Sequence, residues 1–396
     1  MPSSDPIVIV SAARTPIGGF LGDFKELAAH QLGAIALRAA VTRASISPDS
    51  VEEVLMGCVL PAGQGQAPAR QAALGAGLPA STGAVTINKM CGSGMKAVML
   101  AHDMLAAGSA RILAAGGMES MSNAPYLLDR ARTGYRMGHA RMLDHMFLDG
   151  LEDAYDKGRL MGTFAEDCAQ ACNFTREEQD EYALSSLARA QAAISDGAFA
   201  AEIVPVTARI DKQESEILHD ELPLKAIPDR IPRLKPAFRE GGTVTAANSS
   251  SISDGAAALV LMCHSEAEGR GLTPLATIAG QATFAHQPAL FPTAPIGAVH
   301  ALIGRTGWTL DSIDLFEINE AFAVVAMAAM RELQIPREKL NVHGGACALG
   351  HPIGASGARI LVTLLYALQR HNLKRGIAAL CIGGGEATAM AVERIP

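Results

Sequence analysis

Apolar residues arrive along this chain in two rhythms. Residues 6–13 (Pro-Ile-Val-Ile-Val-Ser-Ala-Ala) form a nearly continuous apolar run closed by Arg14-Thr15-Pro16. A continuous run of this length predicts a buried strand followed by a loop. Residues 27–44 instead carry their apolar positions at helical spacing,. Strand-like and helix-like stretches then alternate, which predicts an α/β chain built on a mostly parallel sheet with helices on its faces.

Three landmarks recur in the same order at nearly equal offsets of about 260 residues,. A strand-like Val54-Leu55-Met56-Gly57 matches Leu315-Phe316-Glu317-Ile318. Val85-Thr86-Ile87-Asn88, running into Cys91-Gly92-Ser93-Gly94, matches Leu340-Asn341-Val342 running into Gly350-His351-Pro352. Arg111-Ile112-Leu113-Ala114-Ala115-Gly116-Gly117 matches Gly376-Ile377-Ala378-Ala379-Leu380-Cys381-Ile382-Gly383-Gly384. Strand–glycine–helix units are common in α/β chains, but three in one order point to an internal duplication. Between the copies, roughly residues 120–250, the texture shifts to Tyr, Met, charged residues and a Pro-studded stretch over 223–236. This predicts a long excursion of loops and helices, one over residues 176–196 with Thr175 and Glu178 as its capping box.

A length of 396 residues implies more than one domain,. The chain is 49% hydrophobic and only 18% charged, with 39 glycines, so it reads as tightly packed rather than disordered,. The net charge of -7 and the lack of a Lys/Arg block give no support for a nucleic-acid partner,. No apolar run is long enough for a membrane span. Met1-Pro2-Ser3-Ser4-Asp5-Pro6 has neither a basic region nor an apolar core, and Arg394-Ile395-Pro396 is no peroxisomal address,. Seven irregularly spaced cysteines suit reduced thiols in a cytosol, so a cytoplasmic location is expected,.

Cys91 follows a strand-like run and opens a helix, where the dipole favours a thiolate. A buried structural Cys is the ordinary alternative, and the strand–Cys–Gly-x-Gly–helix setting shifts the balance toward a nucleophile. His351 lies within Gly350-His351-Pro352-Ile353-Gly354-Ala355-Ser356-Gly357, a segment shaped closely by glycine and proline. A neutral His near a thiol is the usual base that generates its thiolate; a locally hydrogen-bonded His is the bland alternative. Cys381 enters Gly383-Gly384-Gly385, where a thiol could act as acid or base and glycine N–H groups could hold an oxyanion. Asn319 could orient a water or cap the following helix. A zinc site from His343, Cys347, His351 and Cys381 fits no familiar ligand spacing, so no metal is expected.

Four motifs together resemble the thiolase family across essentially the whole chain: Asn88-Lys89-Met90-Cys91-Gly92-Ser93-Gly94, Asn319-Glu320-Ala321-Phe322, Gly350-His351-Pro352, and Cys381-Ile382-Gly383-Gly384-Gly385. The resemblance implies two duplicated βαβαβαββ halves in a five-layer αβαβα arrangement. Residues 1–120 with 251–272 would form one half and 273–396 the other. Residues 121–250 would be an inserted loop domain for coenzyme A binding and tetramerisation. It implies a homotetramer built as a dimer of dimers. It also implies coenzyme A and acetyl-CoA as substrates, with no permanently bound cofactor.

Carried over to this chain, Cys91 holds the acyl group and His351 activates it. Asn319 holds a water beside His351. Cys381 is the second acid/base, and the N–H groups of Cys91 and Gly383 form an oxyanion hole. By similarity, Ser250, Ala246, Phe238, Leu151 and Met161 line a pantetheine tunnel. Ala321 and Phe322 lie at the acyl end and Arg230 neighbours the coenzyme A phosphates. Met137-Gly138-His139, Met161-Gly162-Thr163 and Leu234-Lys235-Pro236-Ala237-Phe238 resemble the covering loops of the biosynthetic type. The implied reaction is reversible condensation of two acetyl-CoA, or thiolysis of a short 3-ketoacyl-CoA with or without a 2-methyl branch. Four positions depart from the family pattern. Leu160 replaces a frequent His, Phe291-Pro292 replaces Met-Gly, His343 replaces Asn, and Glu386-Ala387 alters the last loop. They bear on substrate range, leaving a broader-chain degradative thiolase as an alternative. A 3-ketoacyl synthase, with one Cys and His-His or His-Asn partners, and a silent acyl-CoA-binding member of the fold are more distant ones.

Overall fold

The computed structural model describes residues 5–210 and 212–395. The readings made on Met1 to Ser4 and on Pro396 lie outside the described residues. Nine strands follow one hydrogen-bonded path: β1 (Ile7–Arg14), β2 (Glu53–Gly57), β3 (Gly83–Ile87), β4 (Ile112–Ser120), β5 (Ser253–Cys263), β6 (Ala276–Ala285), β7 (Leu315–Ile318), β8 (Arg375–Ile382) and β9 (Glu386–Arg394). Their order is β7-β8-β9-β6-β1-β5-β4-β2-β3. The path is two sheets joined at a seam, because β1 and β6 share only Val8↔Thr277 and Ile9↔Ala276.

On either side of that seam the plan is the same. In the N-terminal half β2 pairs in parallel with β3 and β4, and β4, β5 and β1 follow antiparallel. In the C-terminal half β7 pairs in parallel with β8, and Phe316 bridges Leu340 in parallel on the other side. Strands β8, β9 and β6 then follow antiparallel. The duplication read from the sequence is thus a strand-for-strand repeat.

The mostly parallel sheet expected from the sequence is not what forms. Each half is mixed, and along the whole path five of the eight pairings are antiparallel. The reason in the C-terminal half is Gly383-Gly384-Gly385, with Gly384 at φ 95° and Gly385 at φ 86°. These glycines make a three-residue hairpin from β8 to β9, and a loop that short can join only antiparallel strands. In the N-terminal half the whole excursion intervenes between β4 and β5.

Among the described residues, eight helices have at least eight residues. They are α1 (Ala29–Arg43), α2 (Pro68–Gly75), α3 (Ser93–Ala106), α4 (Met161–Ala171), α5 (Arg176–Ser195), α6 (Ala294–Thr306), α7 (Ala323–Glu332) and α8 (Ser356–Arg370). Alternate residues of one strand point to opposite faces, and three cores result. Val8 and Val10 of β1 pack with α1 and α2. Ile7 and Ile9 turn the other way, toward α3 and α8. The β9 residues Ala387, Ala389 and Ala391 pack with α6 and α7 on the far side. Five layers follow: α1/α2, the N-terminal sheet, α3/α8, the C-terminal sheet, and α6/α7.

The central helices meet closely at their N-termini. A Cβ on Gly94 would lie 2.9 Å from the Ala358 backbone N, and one on Gly357 would lie 2.5 Å from the Met95 backbone N. Only glycine permits this approach. The excursion folds back over the site. Thr175 Oγ accepts the Glu178 N–H at 3.2 Å and Glu178 Oε2 accepts the Thr175 N–H at 2.7 Å, completing the expected capping box of α5. The buried Arg14 guanidinium ties the excursion to β1 through Glu202 at 2.5 Å and Asp220 at 2.7 and 3.0 Å. Gly357→Ala forces a methyl into the joint between the two halves. It is expected to destabilise the protein by about 1–3 kcal/mol, with denaturant unfolding as the measurement.

Candidate active site

Cys91 sits in a tight turn between β3 and α3. Met90, just before it, adopts φ 47°, a left-handed conformation rare for its residue type,. Local hydrogen bonds hold that turn. Asn88 Oδ1 accepts the Met90 N–H at 2.9 Å, Ser93 Oγ accepts the Lys89 N–H at 2.8 Å, and the Ser93 hydroxyl donates to Met90 O at 2.6 Å. From the far half, Glu386 pairs with Lys89 at 2.5 Å and fastens the β8–β9 hairpin to this turn. Strand β3 itself is half-exposed, because it is the edge of the sheet.

His351 is buried, and its backbone N–H donates to Ser251 O at 3.0 Å. Its Nδ1 lies 2.5 Å from Ser356 Oγ, and the Ser356 hydroxyl donates to Pro352 O at 2.9 Å. That hydroxyl has one hydrogen, already committed. It therefore accepts from Nδ1–H, and Nε2 carries the free lone pair. Burial, reinforced by the Arg359 charge, depresses the imidazole pKa to about 3, so it stays neutral,. Asn319 is also buried, with Nδ2 3.5 Å from His351 Nδ1. The alternative role of Asn319 as a helix cap does not hold, since α7 starts later with Phe322 at its N-cap. Asn319 Oδ1 and His351 Nε2 are buried acceptors without a protein partner, the condition for holding a polar ligand group,.

Cys381 ends β8 and is buried. Gly383, two residues on in the hairpin, directs its N–H at the Cys91 sulfur, as does the N–H of Cys91 itself. The helix terminus was expected to favour the Cys91 thiolate. Burial outweighs it and pushes the thiol pKa up to about 11 despite those two N–H groups. Cys381 is driven well above the ordinary thiol range, first by burial and then by facing Cys91. Both sulfurs rest as thiols at neutral pH, so a neighbouring base is required.

The two sulfurs and the imidazole meet at one cavity of about 540 Å³. Cys91, His351, Cys381 and Gly383 line it, and so do Ser250, Ala246, Phe238, Leu151, Met161, Ala321 and Phe322. Asn319 stands behind His351 rather than on the wall. Arg230 lies in an adjoining depression of about 310 Å³ that shares Leu222, Ala246 and Ser251 with the main cavity. The walls are chiefly apolar. The Phe238 and Phe322 rings meet edge-on at 6.0 Å, and Phe291 lies 6.4 Å from Phe322. Gly162 lets Phe238 approach, since a Cβ there would be 2.4 Å from the ring. The segment after the excursion closes the site: Ser250 N–H and hydroxyl both donate to Ala321 O at 2.9 Å.

Sequence reasoning passed over Phe20, Phe147, Leu222, Ser251, Ile252 and Ile353 as lining residues, and Ser249 joins its neighbour Ser250 on the wall. It passed over Ser356 too. The signal for Ser356 was available: a catalytic imidazole needs a partner on its second nitrogen, and Ser356 lies five residues on in the quoted segment. Among the described residues, no three or more His, Cys, Asp or Glu side chains converge as metal ligands, and no helix is long and apolar enough to cross a membrane.

A neutral imidazole and two thiols lining one apolar cavity, with paired backbone N–H donors at one of the sulfurs, define a thiol-dependent enzyme. Residues 7–265 match the family description Thiolase, N-terminal domain, and residues 272–394 match Thiolase, C-terminal domain. The chain belongs to the thiolase family. It is 50% identical over 390 residues to an acetyl-CoA acetyltransferase of Cupriavidus necator, covering 98% of this chain and 99% of that protein. It is 47% identical over 396 residues to a mitochondrial acetyl-CoA acetyltransferase of Bos taurus, covering 100% and 93%. The crystal structure of an acetyl-CoA acetyltransferase from Bacillus anthracis superposes with a TM-score of 0.97 at 40% identity, with 100% of each chain covered. An Ascaris suum thiolase in complex with coenzyme A superposes with a TM-score of 0.93 at 40% identity, covering 98% of this chain and 100% of that one.

With the Cys91 pKa at about 11, its thiolate fraction grows with pH throughout the working range. Iodoacetamide alkylation of Cys91 is expected to accelerate about tenfold per unit from pH 7 to pH 9 without levelling off. Peptide mass spectrometry measures the rate, and a plateau below pH 8 contradicts a buried resting thiol.

Proposed function

We propose that the protein is an acetyl-CoA C-acetyltransferase. It condenses two acetyl-CoA reversibly to acetoacetyl-CoA and coenzyme A through an acetyl thioester on Cys91. The observation that carries the reading is the convergence of Cys91, His351 and Cys381 on one apolar cavity. Coenzyme A and acetyl-CoA are substrates, and the pantetheine arm lies between Ser250, Ala246, Phe238, Leu151 and Met161. Arg230, with Lys225 beside it in the adjoining depression, meets the phosphates.

His351 Nε2 takes the proton of the Cys91 thiol, and the thiolate attacks the thioester carbonyl. The coenzyme A thiolate leaves with the proton of the Cys381 thiol, so Cys381 becomes a thiolate while His351 keeps the transferred proton on Nε2. Asn319 holds a water that, with His351, donates to the thioester oxygen of the second acetyl-CoA. The Cys381 thiolate then removes a proton from that molecule's α-carbon, and the resulting enolate attacks the acetyl group on Cys91. The N–H groups of Cys91 and Gly383 receive the negative oxygen formed there, an interaction made only as charge develops. Collapse of that intermediate frees acetoacetyl-CoA, and the departing Cys91 thiolate recovers its proton from His351 Nε2, which restores the resting site. Splitting one difficult acyl transfer into two is the gain from a covalent nucleophile.

Short substrates follow from Phe238, Phe291 and Phe322 crowding the inner end of the cavity, with room for a 2-methyl branch where Leu160 offers an apolar wall. The division into residues 1–120 with 251–272, 121–250 and 273–396 is part of the same reading. So is a homotetramer formed as a dimer of dimers. Supporting it, β3 is a short edge strand with Val85 42% exposed, a surface open to pairing,. Tyr126, Met137 and Met142 stand exposed on the excursion. Seven free thiols support a cytoplasmic location,.

Thiolysis of acetoacetyl-, 2-methylacetoacetyl-, 3-ketohexanoyl- and 3-ketooctanoyl-CoA, compared by kcat/KM, is expected to rank the two four-carbon-chain substrates highest. Cys91→Ala should lose both turnover and acetyl-enzyme labelling. Cys381→Ser should still acetylate while losing about 10²–10⁴-fold in carbon–carbon bond turnover. Turnover surviving in Cys91→Ala rejects the mechanism, and a preference for 3-ketooctanoyl-CoA favours the degradative alternative.

A further inference from the structure

The repeat places a second pair of residues where the site pair Asn319 and Cys381 would fall in the other half. Gly57 pairs with Gly117 as Ile318 pairs with Ala379. Gly117 pairs with Ala257 as Ala379 pairs with Ala389. Counting onward along both strands, Cys58 answers to Asn319 and Glu119 to Cys381. Where one half carries an acid/base thiol, the other carries a carboxylate, and that carboxylate is fully buried.

Glu119 is richly bonded for a buried acid. Its Oε2 accepts the N–H of Val59 at 2.9 Å and of Gly354 at 2.9 Å. Its Oε1 accepts the N–H of Leu60 at 3.2 Å and faces the Cys58 thiol at 3.5 Å. These donors come from two separate loops. Residues 58–60 follow β2, and Leu60 packs in one cluster with Met90, Cys91 and Ile353. Gly354 lies three residues after His351, and Ile353 beside it lines the cavity. The approach is tight, since a Cβ on Gly354 would stand 2.6 Å from Glu119 Oε2.

We propose that Glu119 is a positioning residue for the reaction, its ionised carboxylate clamping the His351 loop to the loop beneath Cys91. The inference rests on the acetyltransfer reading above. A carboxylate can only accept, which suits donors on both oxygens, whereas a protonated carboxyl turns one O–H against them. A base displaced by a fraction of an ångström from its proton loses most of its value.

The clamp is tunable by pH. Burial raises the Glu119 pKa to about 7, against the three N–H groups that lower it. The acid is ionised above that point and protonated below, so turnover falls as pH drops through neutrality. Two titratable groups interact with it: Cys58 from the loop after β2, and Cys91 from the turn before α3. Both are raised thiols, neutral throughout this range. The His351 loop presents backbone only. On β5, Gly255 is the direct partner of Glu119, while Asp254 pairs with Ser120 and so lies on the opposite face,. Asp254 is itself raised to about 6, first by burial, so a variant is needed to assign the titration.

The experiment is the pH profile of kcat for acetoacetyl-CoA thiolysis in the parent, Glu119→Gln and Cys58→Ser. The parent is expected to show an acid limb at about pH 7. Glu119→Gln should lose that limb and run about 10–100-fold slower, with KM changed less than about twofold. Cys58→Ser replaces a weak donor with a stronger one, which favours the carboxylate and moves the limb to lower pH; this variant decides the matter if Glu119→Gln does not fold. A limb absent from the parent, retained in Glu119→Gln or unmoved in Cys58→Ser overturns the role of Glu119. So does parent-like turnover in Glu119→Gln. A parent that does not thiolyse acetoacetyl-CoA at all overturns the proposed function instead.

Discussion

The contact between the first turns of α3 and α8 governs the geometry of the molecule. Gly94 and Gly357 remove the side chains that would hold the two helices apart. Each helix begins where a loop from its own half delivers a reactive group: Cys91 before α3 and His351 before α8. Bringing the helix starts together therefore brings the two loops to one cavity, though 260 residues separate them in the chain (351 − 91). The seam between β1 and β6 is too short to do this, with two residue pairs. The registration of the halves rests on the packed helices and on pairs such as Lys89 with Glu386.

Burial sets the chemistry once the groups are in place. The same low-dielectric surroundings hold the imidazole neutral and both thiols protonated,. Neutral partners can exchange protons within the cavity without stabilising a permanent ion pair there. The hydrogen-bond chain from His351 through Ser356 to Pro352 fixes which imidazole nitrogen faces the reacting atoms, and Asn319 sits behind it as a further fixed dipole.

Much of this was legible in the chain itself. Cys91, His351 and Cys381 stood out because each lies where an apolar run meets glycine, which is how a backbone is brought close to a ligand. The repeat was legible because equivalent strands keep their spacing. Strand direction was not, because polarity patterns report burial and are silent on whether a partner runs up or down. The Gly383-Gly384-Gly385 run was read for its N–H groups and its role as a hairpin was overlooked. The protonation of Cys91 was misjudged because a helix terminus is a local feature, whereas desolvation comes from residues scattered over the whole fold. Phe20 and Leu222 escaped for the same reason: they reach the cavity from segments with no chemical signature of their own.

The narrow apolar cavity has a consequence for how long an acetyl group can survive on the protein. A thioester is activated toward any nucleophile, and solvent is by far the most abundant one. In the proposed cycle the ligand's own arm fills the passage between Phe238, Leu151 and Ser250, so the reactant serves as the stopper. Between departure of the first coenzyme A and arrival of the next acyl carrier, the route lies open. Wasteful loss of acetate is then governed by the interval of vacancy, and a cell with ample acyl carriers keeps that interval brief.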